Sequence, residues 1–172
     1  MGVHSQDAAP RKHTLAARRR KESKRTRMVP IISVVGWHNS GKTMFLERLI
    51  RTLRERGVRL ASVKHTGGRF EMDKEGSDTW RLARAGSDVV AISGRSGFAL
   101  IERRQGELQL EEIVKRLPAD LDLILTEGFK AADTPKIEII GPKGGERIAP
   151  TEQLLALVSE TDLAEEQAPC FG

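Results

Sequence analysis

Gly36-Trp37-His38-Asn39-Ser40-Gly41-Lys42-Thr43 has the residue types and spacing of a phosphate-binding loop, G-x-x-x-x-G-K-[ST]. Gly36 and Gly41 let the backbone wrap closely around phosphate oxygens and turn several N–H groups inward as a nest. A following helix points its positive end at the same anion. The Lys42 ammonium suits the β- and γ-phosphates, and the Thr43 hydroxyl is a hard oxygen suited to magnesium. A chance match in a chain of this composition is on the order of one percent. The reading as a glycine-rich turn without a ligand is therefore set aside. Trp37 and His38 occupy free positions and read as spacers on the pocket rim. Met44 cannot supply the hydroxyl that would reach an α-phosphate.

A magnesium site of this kind needs a second acid, and two acids compete for it. Asp122 begins the apolar run Leu121 to Thr126, and Glu127 follows its end. Five strand residues would separate them by roughly 16 Å. Ligands on α/β sheets sit beyond the carboxyl ends of the strands. Glu127 is thus the magnesium and catalytic candidate beside Lys42, and Asp122 reads as a solvated or capping acid at the far edge. Lys64, His65 and Thr66 follow a second strand and emerge at the Glu127 edge. Lys64 reads equally as an anion ligand or a solvated lysine. Asp73, Gly76, Asp78 and Thr79 form an acidic loop entering a helix, where either Ser77 or Asp78 would serve as the cap.

The elements that position these residues alternate. Ile31 to Val35 is short and β-branched, as a strand buried on both faces should be. Phe45, Leu46, Leu49, Ile50 and Leu53 share one face of a helix that Gly57 closes. Val58 to Val63 reads as the second strand and Ser77 to Ala85 as a helix, with Trp80 in a core or interface. Val89 to Ser93 and Phe98 to Glu102 read as a β-hairpin. Leu110, Ile113, Val114 and Leu117 space as a helix stopped by Pro118. Leu121 to Thr126, Lys136 to Ile140 and Leu154 to Ser159 complete the strands. The pattern predicts an α/β fold of the P-loop NTPase type: a largely parallel central sheet flanked by helices, with a β-hairpin insertion.

The net charge of +5 over 172 residues is unevenly spread. Residues 1–28 contain nine Lys or Arg and two acids, for +7, which leaves −2 for residues 29–172. The chain thus divides into a basic tail, 1–28, that reads as disordered, and a nucleotide-binding domain, 29–172. The tail is an exposed extension, a weak anionic-surface contact, or a segment preceding a natural start at Met28. A charged tail on an acidic body gives no case for a nucleic-acid-binding domain. One cysteine, Cys170, excludes an intrachain disulfide and suits a reducing cytoplasm. No apolar stretch reaches the roughly 18 residues of a membrane span.

Taken in order, Gly-Trp-His-Asn-Ser-Gly-Lys-Thr (36–43), Val-Lys-His-Thr (63–66), Asp-Lys-Glu-Gly-Ser-Asp-Thr (73–79), Leu-Asp-Leu-Ile-Leu-Thr-Glu-Gly-Phe-Lys (121–130) and Pro-Lys-Ile-Glu-Ile-Ile (135–140) resemble the molybdopterin-guanine dinucleotide biosynthesis protein B family. The resemblance spans about residues 30–160. It implies a P-loop protein, usually dimeric, that binds GTP with Mg2+, hydrolyses it slowly and assists a molybdopterin guanylyltransferase. By position it implies that Gly36 to Thr43, with Trp37, His38, Asn39 and Ser40, hold GTP. Thr43 and Glu127 would serve magnesium. Lys64, His65, Asp73 and Asp78 would lie near the nucleotide or a molybdopterin. Gly67 and Gly68 stand where relatives often carry further histidines. The basic tail is not a family feature, and relatives tend to continue beyond the Ala-Pro-Cys-Phe segment into a last helix. Guanine specificity is not legible in a usual Asn-Lys-x-Asp box, because Asn39 is the sole asparagine; Asp162 is an alternative reader or a helix cap. A small-molecule kinase is the other class of reading, with Arg81, Arg84, Arg95, Arg103 and Arg104 as lid cations.

Overall fold

The computed structural model describes residues 28–159. The expectations for tail residues 1–27, for Asp162 and for Cys170 lie outside that range. The described chain divides into two compact units, residues 28–64 with 118–159, and residues 65–117.

The first unit is built on β1 (Ile31–Gly36), whose residues from Ser33 onward are buried, as a central strand requires. It is flanked by β5 (Leu123–Glu127) and β6 (Lys136–Ile140), and outside these lie β2 (Leu60–Lys64) and β7 (Leu154–Ser159). The order is β2-β5-β1-β6-β7, and every pairing is parallel. Parallel register brings the carboxyl ends of β1, β2 and β5 to one edge: Val34 lies opposite Glu127, and Glu127 opposite Lys64. Helix α1 (Lys42–Glu55) lays Leu46 against Val34, Leu125 and Ile139, with Phe45, Leu49, Ile50 and Leu53 packed around them. These are the residues its 3.6-residue period had put on one face.

Strands β2 and β5 each begin two residues later than the sequence expectation. Val58 belongs to the end of α1: its N–H donates to the Leu53 carbonyl at 3.0 Å while Gly57 donates to Arg54 at 2.9 Å. This is a Schellman cap on a glycine with φ +77°, so β2 begins only at Leu60 and extends to Lys64. Likewise β5 starts at Leu123 and includes Glu127. Asp122 is occupied before the strand starts. It donates its N–H to the Arg59 carbonyl at 2.6 Å, and its carboxylate accepts the Arg59 N–H at 2.9 Å.

The opposite face of the sheet buries polar groups beside apolar Val35, Ile124 and Leu157. Thr126 Oγ1 donates to Ser33 Oγ at 2.9 Å, and Ser33 lies 2.6 Å from the Thr134 hydroxyl. Lys136 and Glu138, two apart on β6, are both fully buried. Lys136 Nζ donates to the Ala132 and Thr134 carbonyls at 2.6 and 3.1 Å, and to the Gln153 side chain. Burial lowers its pKa, which the Asp133 carboxylate partly opposes. The Glu138 carboxylate accepts the backbone N–H groups of Ile148 and Ala149 at 2.7 and 3.0 Å. It thereby fixes the end of the segment that leaves β6 at Gly141.

The second unit contains α2 (Asp78–Arg84), the antiparallel hairpin of β3 (Val89–Gly94) and β4 (Gly97–Glu102), and α3 (Leu110–Val114). The hairpin turn is tighter than expected, since Gly94 pairs with Gly97. The kinase reading's Arg104 lies just past β4, bonded to Glu102 at 2.9 Å, and not in a helix. Regular helix in α3 ends at Val114, because Pro118 lacks an N–H and disfavours helix at the residue before it. Among the described residues no helix is long and apolar enough to cross a membrane.

Glu138→Ala should destabilise the protein by about 2–6 kcal/mol, because the amides of Ile148 and Ala149 lose their acceptor at about 1–3 kcal/mol each. Urea unfolding followed by circular dichroism measures it.

Candidate functional site

The loop after β1 is shaped by its glycines. A Cβ on Gly36 would lie 2.5 Å from the Ile139 carbonyl oxygen and 2.6 Å from Ser40 Oγ, and the residue's φ is +154°. Only glycine lets the chain leave β1 so close to β6. Asn39 (φ +58°) and Gly41 (φ +91°) are left-handed on either side of Ser40, which turns the backbone into a nest and delivers it to the start of α1. Ser40 Oγ is buried and, among the described residues, has no hydrogen-bond partner. His38 is exposed on the loop.

Lys42 Nζ donates back to the carbonyls of Trp37 and Gly36, at 2.6 and 3.2 Å. Thr43 Oγ1 donates to Glu127 Oε2 at 3.0 Å, and Lys64 Nζ lies 3.1 Å from Glu127 Oε1. One carboxylate therefore bridges the first turn of α1 and the end of β2. Burial is the main influence lowering the pKa of Lys42; Glu127 opposes it, and Lys130 and Lys64 add to it by repulsion. Three ammonium groups, Lys42, Lys64 and Lys130, thus act on one another here against the single Glu127 carboxylate, an arrangement that attracts a polyanion. Thr43 and Glu127 offer magnesium two hard oxygens 3.0 Å apart. Among the described residues there is no cluster of three or more His, Cys, Asp or Glu. That donor set suits an ion whose remaining ligands are phosphate oxygens and water.

On the other flank of the loop lies a cleft of about 440 Å³, whose walls include Asn39, Met44, Phe45, Ile140, Pro142 and Ser159. A mostly apolar concavity beside a phosphate cradle suits the nucleoside part of a ligand. The sequence did not reveal it, because Ile140, Pro142 and Ser159 reach the loop only through the order of β6 and β7.

Trp37 is more than the spacer its free position suggested. Its Nε1–H donates to the Glu146 carbonyl at 2.7 Å, and Lys130 Nζ stands 4.9 Å from the ring centroid. Lys130 also went unassigned in the sequence, although it follows Glu127 by three residues.

The remaining predicted residues lie in the second unit. His65 Nε2 is 3.4 Å from Glu107 Oε2. Asp73 Oδ1 accepts from the Ser77 hydroxyl and the Lys74 N–H, both at 2.9 Å. Hydrogen bonds from Thr79 and then Ser77 hold its carboxyl below the usual carboxylate range. Ser77, not Asp78, caps α2 by accepting the Trp80 N–H at 3.2 Å. Asp78 is exposed and lies 3.8 Å from Arg81. Trp80 is half-buried, with Arg84 over its ring at 5.4 Å.

Comparison with known proteins matches residues 31–160 to the family described as molybdopterin guanine dinucleotide synthesis protein B. A probable molybdopterin-guanine dinucleotide biosynthesis adapter protein of Bacillus subtilis (strain 168) is 42% identical over 120 residues, 68% of each chain. The molybdopterin-guanine dinucleotide biosynthesis adapter protein of Escherichia coli (strain K12) is 34% identical over 123 residues, 70% of each chain. A crystal structure of Bacillus subtilis MobB superposes with a TM-score of 0.67 at 36% identity, covering 83% of this chain and 88% of that one.

Alanine at Gly41 meets only Met44 Cε, at 3.8 Å, so it should cost only the left-handed strain of about 1–2 kcal/mol. Alanine at Gly36 adds the clash with the Ile139 carbonyl and should lower the melting temperature by at least twice as much. Thermal denaturation of the two variants side by side checks the order.

Proposed function

The chain belongs to the molybdopterin guanine dinucleotide synthesis protein B family, and from that premise we propose that it is a GTP-binding adapter in the biosynthesis of molybdopterin guanine dinucleotide. The observation that carries the reading is the meeting of Lys42, Thr43, Lys64 and Glu127 at one sheet edge, beside a glycine loop whose buried Ser40 hydroxyl has no partner among the described residues. The loop would wrap the polyphosphate. Lys42 would exchange its carbonyl partners for phosphate oxygens, which bind an ammonium more strongly. Thr43 and Glu127 would hold magnesium, whose charge, when bound, offsets that of the phosphates. Glu127 must then give up part of its ion pair with Lys64, which would leave that ammonium to the ligand.

Hydrolysis would be slow, making the protein at most a weak magnesium-dependent GTPase. Glu127 is followed by Gly128, Phe129 and Lys130, so that turn offers no glutamine or second carboxylate to orient an attacking water. The preference for GTP over ATP rests on family membership. The partner under this reading is a molybdopterin guanylyltransferase in the cytoplasm, to which the adapter presents nucleotide. The protein would act as a homodimer. A lone two-stranded hairpin is marginally stable and leaves both strands as edges, and this one exposes Ile92 (58%), Phe98 (67%) and Leu100 (54%). A second copy would cover them.

Calorimetry with magnesium-GTP should show micromolar binding, weaker binding of ATP, and turnover below about one per minute. Lys42→Ala should weaken magnesium-GTP binding at least about 100-fold, or about 2.7 kcal/mol. Unchanged heat of association in that variant would overturn the reading. For the dimer, Phe98→Glu should convert the protein to monomer in sedimentation equilibrium while leaving magnesium-GTP binding intact.

A further inference from the structure

Lys130 is placed by an unusual piece of backbone. After Glu127 the chain passes through two consecutive left-handed residues, Gly128 (φ +94°) and Phe129 (φ +51°). Gly128 N–H donates to the Val34 carbonyl at 3.0 Å, which ties this turn to β1 just before the phosphate loop. A bulky aromatic residue with positive φ is strained, and such strain persists only where the surroundings impose it. Its effect is to return the chain over the loop, so that Lys130 Nζ stands above the Trp37 ring.

Trp37 in turn is held from outside the loop. Its Nε1–H is bonded to the Glu146 carbonyl, and Gly145 presses against the same edge of the ring. A Cβ on Gly145 would lie 2.8 Å from Cδ1 and 2.9 Å from Nε1. The segment bearing Gly145 and Glu146 is anchored at both ends. Gly141 packs on Ser40, where an added Cβ would come within 3.0 Å of Cα, and buried Glu138 binds the amides of Ile148 and Ala149. The indole is therefore a fixed platform inside the phosphate loop, and its cargo is a cation.

Among the described residues no carboxylate pairs with Lys130; its contact is the ring face. A cation over a partly exposed ring is held weakly compared with a charge-assisted hydrogen bond to phosphate. Lys64 is already paired with Glu127 and Lys42 with two loop carbonyls, so a third ammonium matters most for the ligand with most negative charge. Repulsion from Lys130 is one of the lesser influences lowering the Lys42 pKa, after burial.

We propose that Lys130 is a third phosphate-binding cation, held ready by Trp37, and that it lets the site distinguish a nucleoside triphosphate from the diphosphate. The proposal rests on the nucleotide-binding reading above and adds the residue that would count phosphates.

The test is calorimetry of the full chain with magnesium-GTP and, separately, magnesium-GDP. Lys130→Ala should weaken magnesium-GTP binding about tenfold, as loss of one charge-assisted contact would. Magnesium-GDP binding should change less than about threefold on the same scale, so the preference for triphosphate falls. Lys130→Arg should restore most of it. Trp37→Leu should lower the same ratio, and combining it with Lys130→Ala should add little, because one platform and its cargo act as a unit. A purely structural latch would weaken both nucleotides equally. An unchanged GTP-to-GDP ratio in Lys130→Ala, or fully additive effects of the two substitutions, would overturn the proposal while leaving the nucleotide-binding reading intact. A wild-type protein that binds neither nucleotide would overturn both.

Discussion

The Glu127 carboxylate is the point on which the site turns. Register sets it near the end of β1, and it is bonded on one side to Thr43 and on the other to Lys64. Neither contact is a matter of side-chain reach alone. Parallel register sets Lys64 opposite Glu127 and Glu127 opposite Val34, two residues before the loop begins. Three ammonium groups against one carboxylate bias the local field toward anions, and partial burial of Lys42, whose partners are neutral carbonyls, adds to that bias.

Support for this edge comes from a second polar layer deeper in the molecule. Lys136 and Glu138 would be expensive to bury unbonded, yet each is met by backbone groups. Their partners belong to the segments that enter and leave β6. The same strand that supplies Ile139 to the α1 core also anchors the loop that holds the Trp37 ring. Packing on one face of the sheet and hydrogen bonding on the other are thereby joined in β6.

The second unit is organised differently. Its helices are short, and its hairpin exposes apolar side chains on both strands. Its polar residues Asp73, Ser77 and Glu112 are engaged in local turns and caps. Such contacts order a chain segment without building a large core, which leaves apolar surface for association.

Much of this protein was legible without coordinates. The glycine-rich loop is local chemistry, since glycine spacing, a lysine and a threonine specify its type within eight residues. Helix α1 and the strands β1, β6 and β7 follow from periodicity, and the choice of Glu127 over Asp122 followed from which end of a parallel strand faces a ligand. Other features depended on partners distant in the chain. Val58 looked like strand until the Schellman cap claimed its N–H, and Trp37 looked like a spacer until Glu146, 109 residues away, accepted its indole hydrogen. Lys130 closes the Glu-Gly-Phe-Lys stretch of the family resemblance, but no role could be read for it there, because its position comes from a left-handed turn and the ring of Trp37 on the loop after β1. Sequence alone determined what depends on neighbours along the chain: the loop, the helix face and the strand types. Tertiary structure decided what depends on register and strand order, because those set which distant groups lie close enough to exchange a hydrogen bond or a charge.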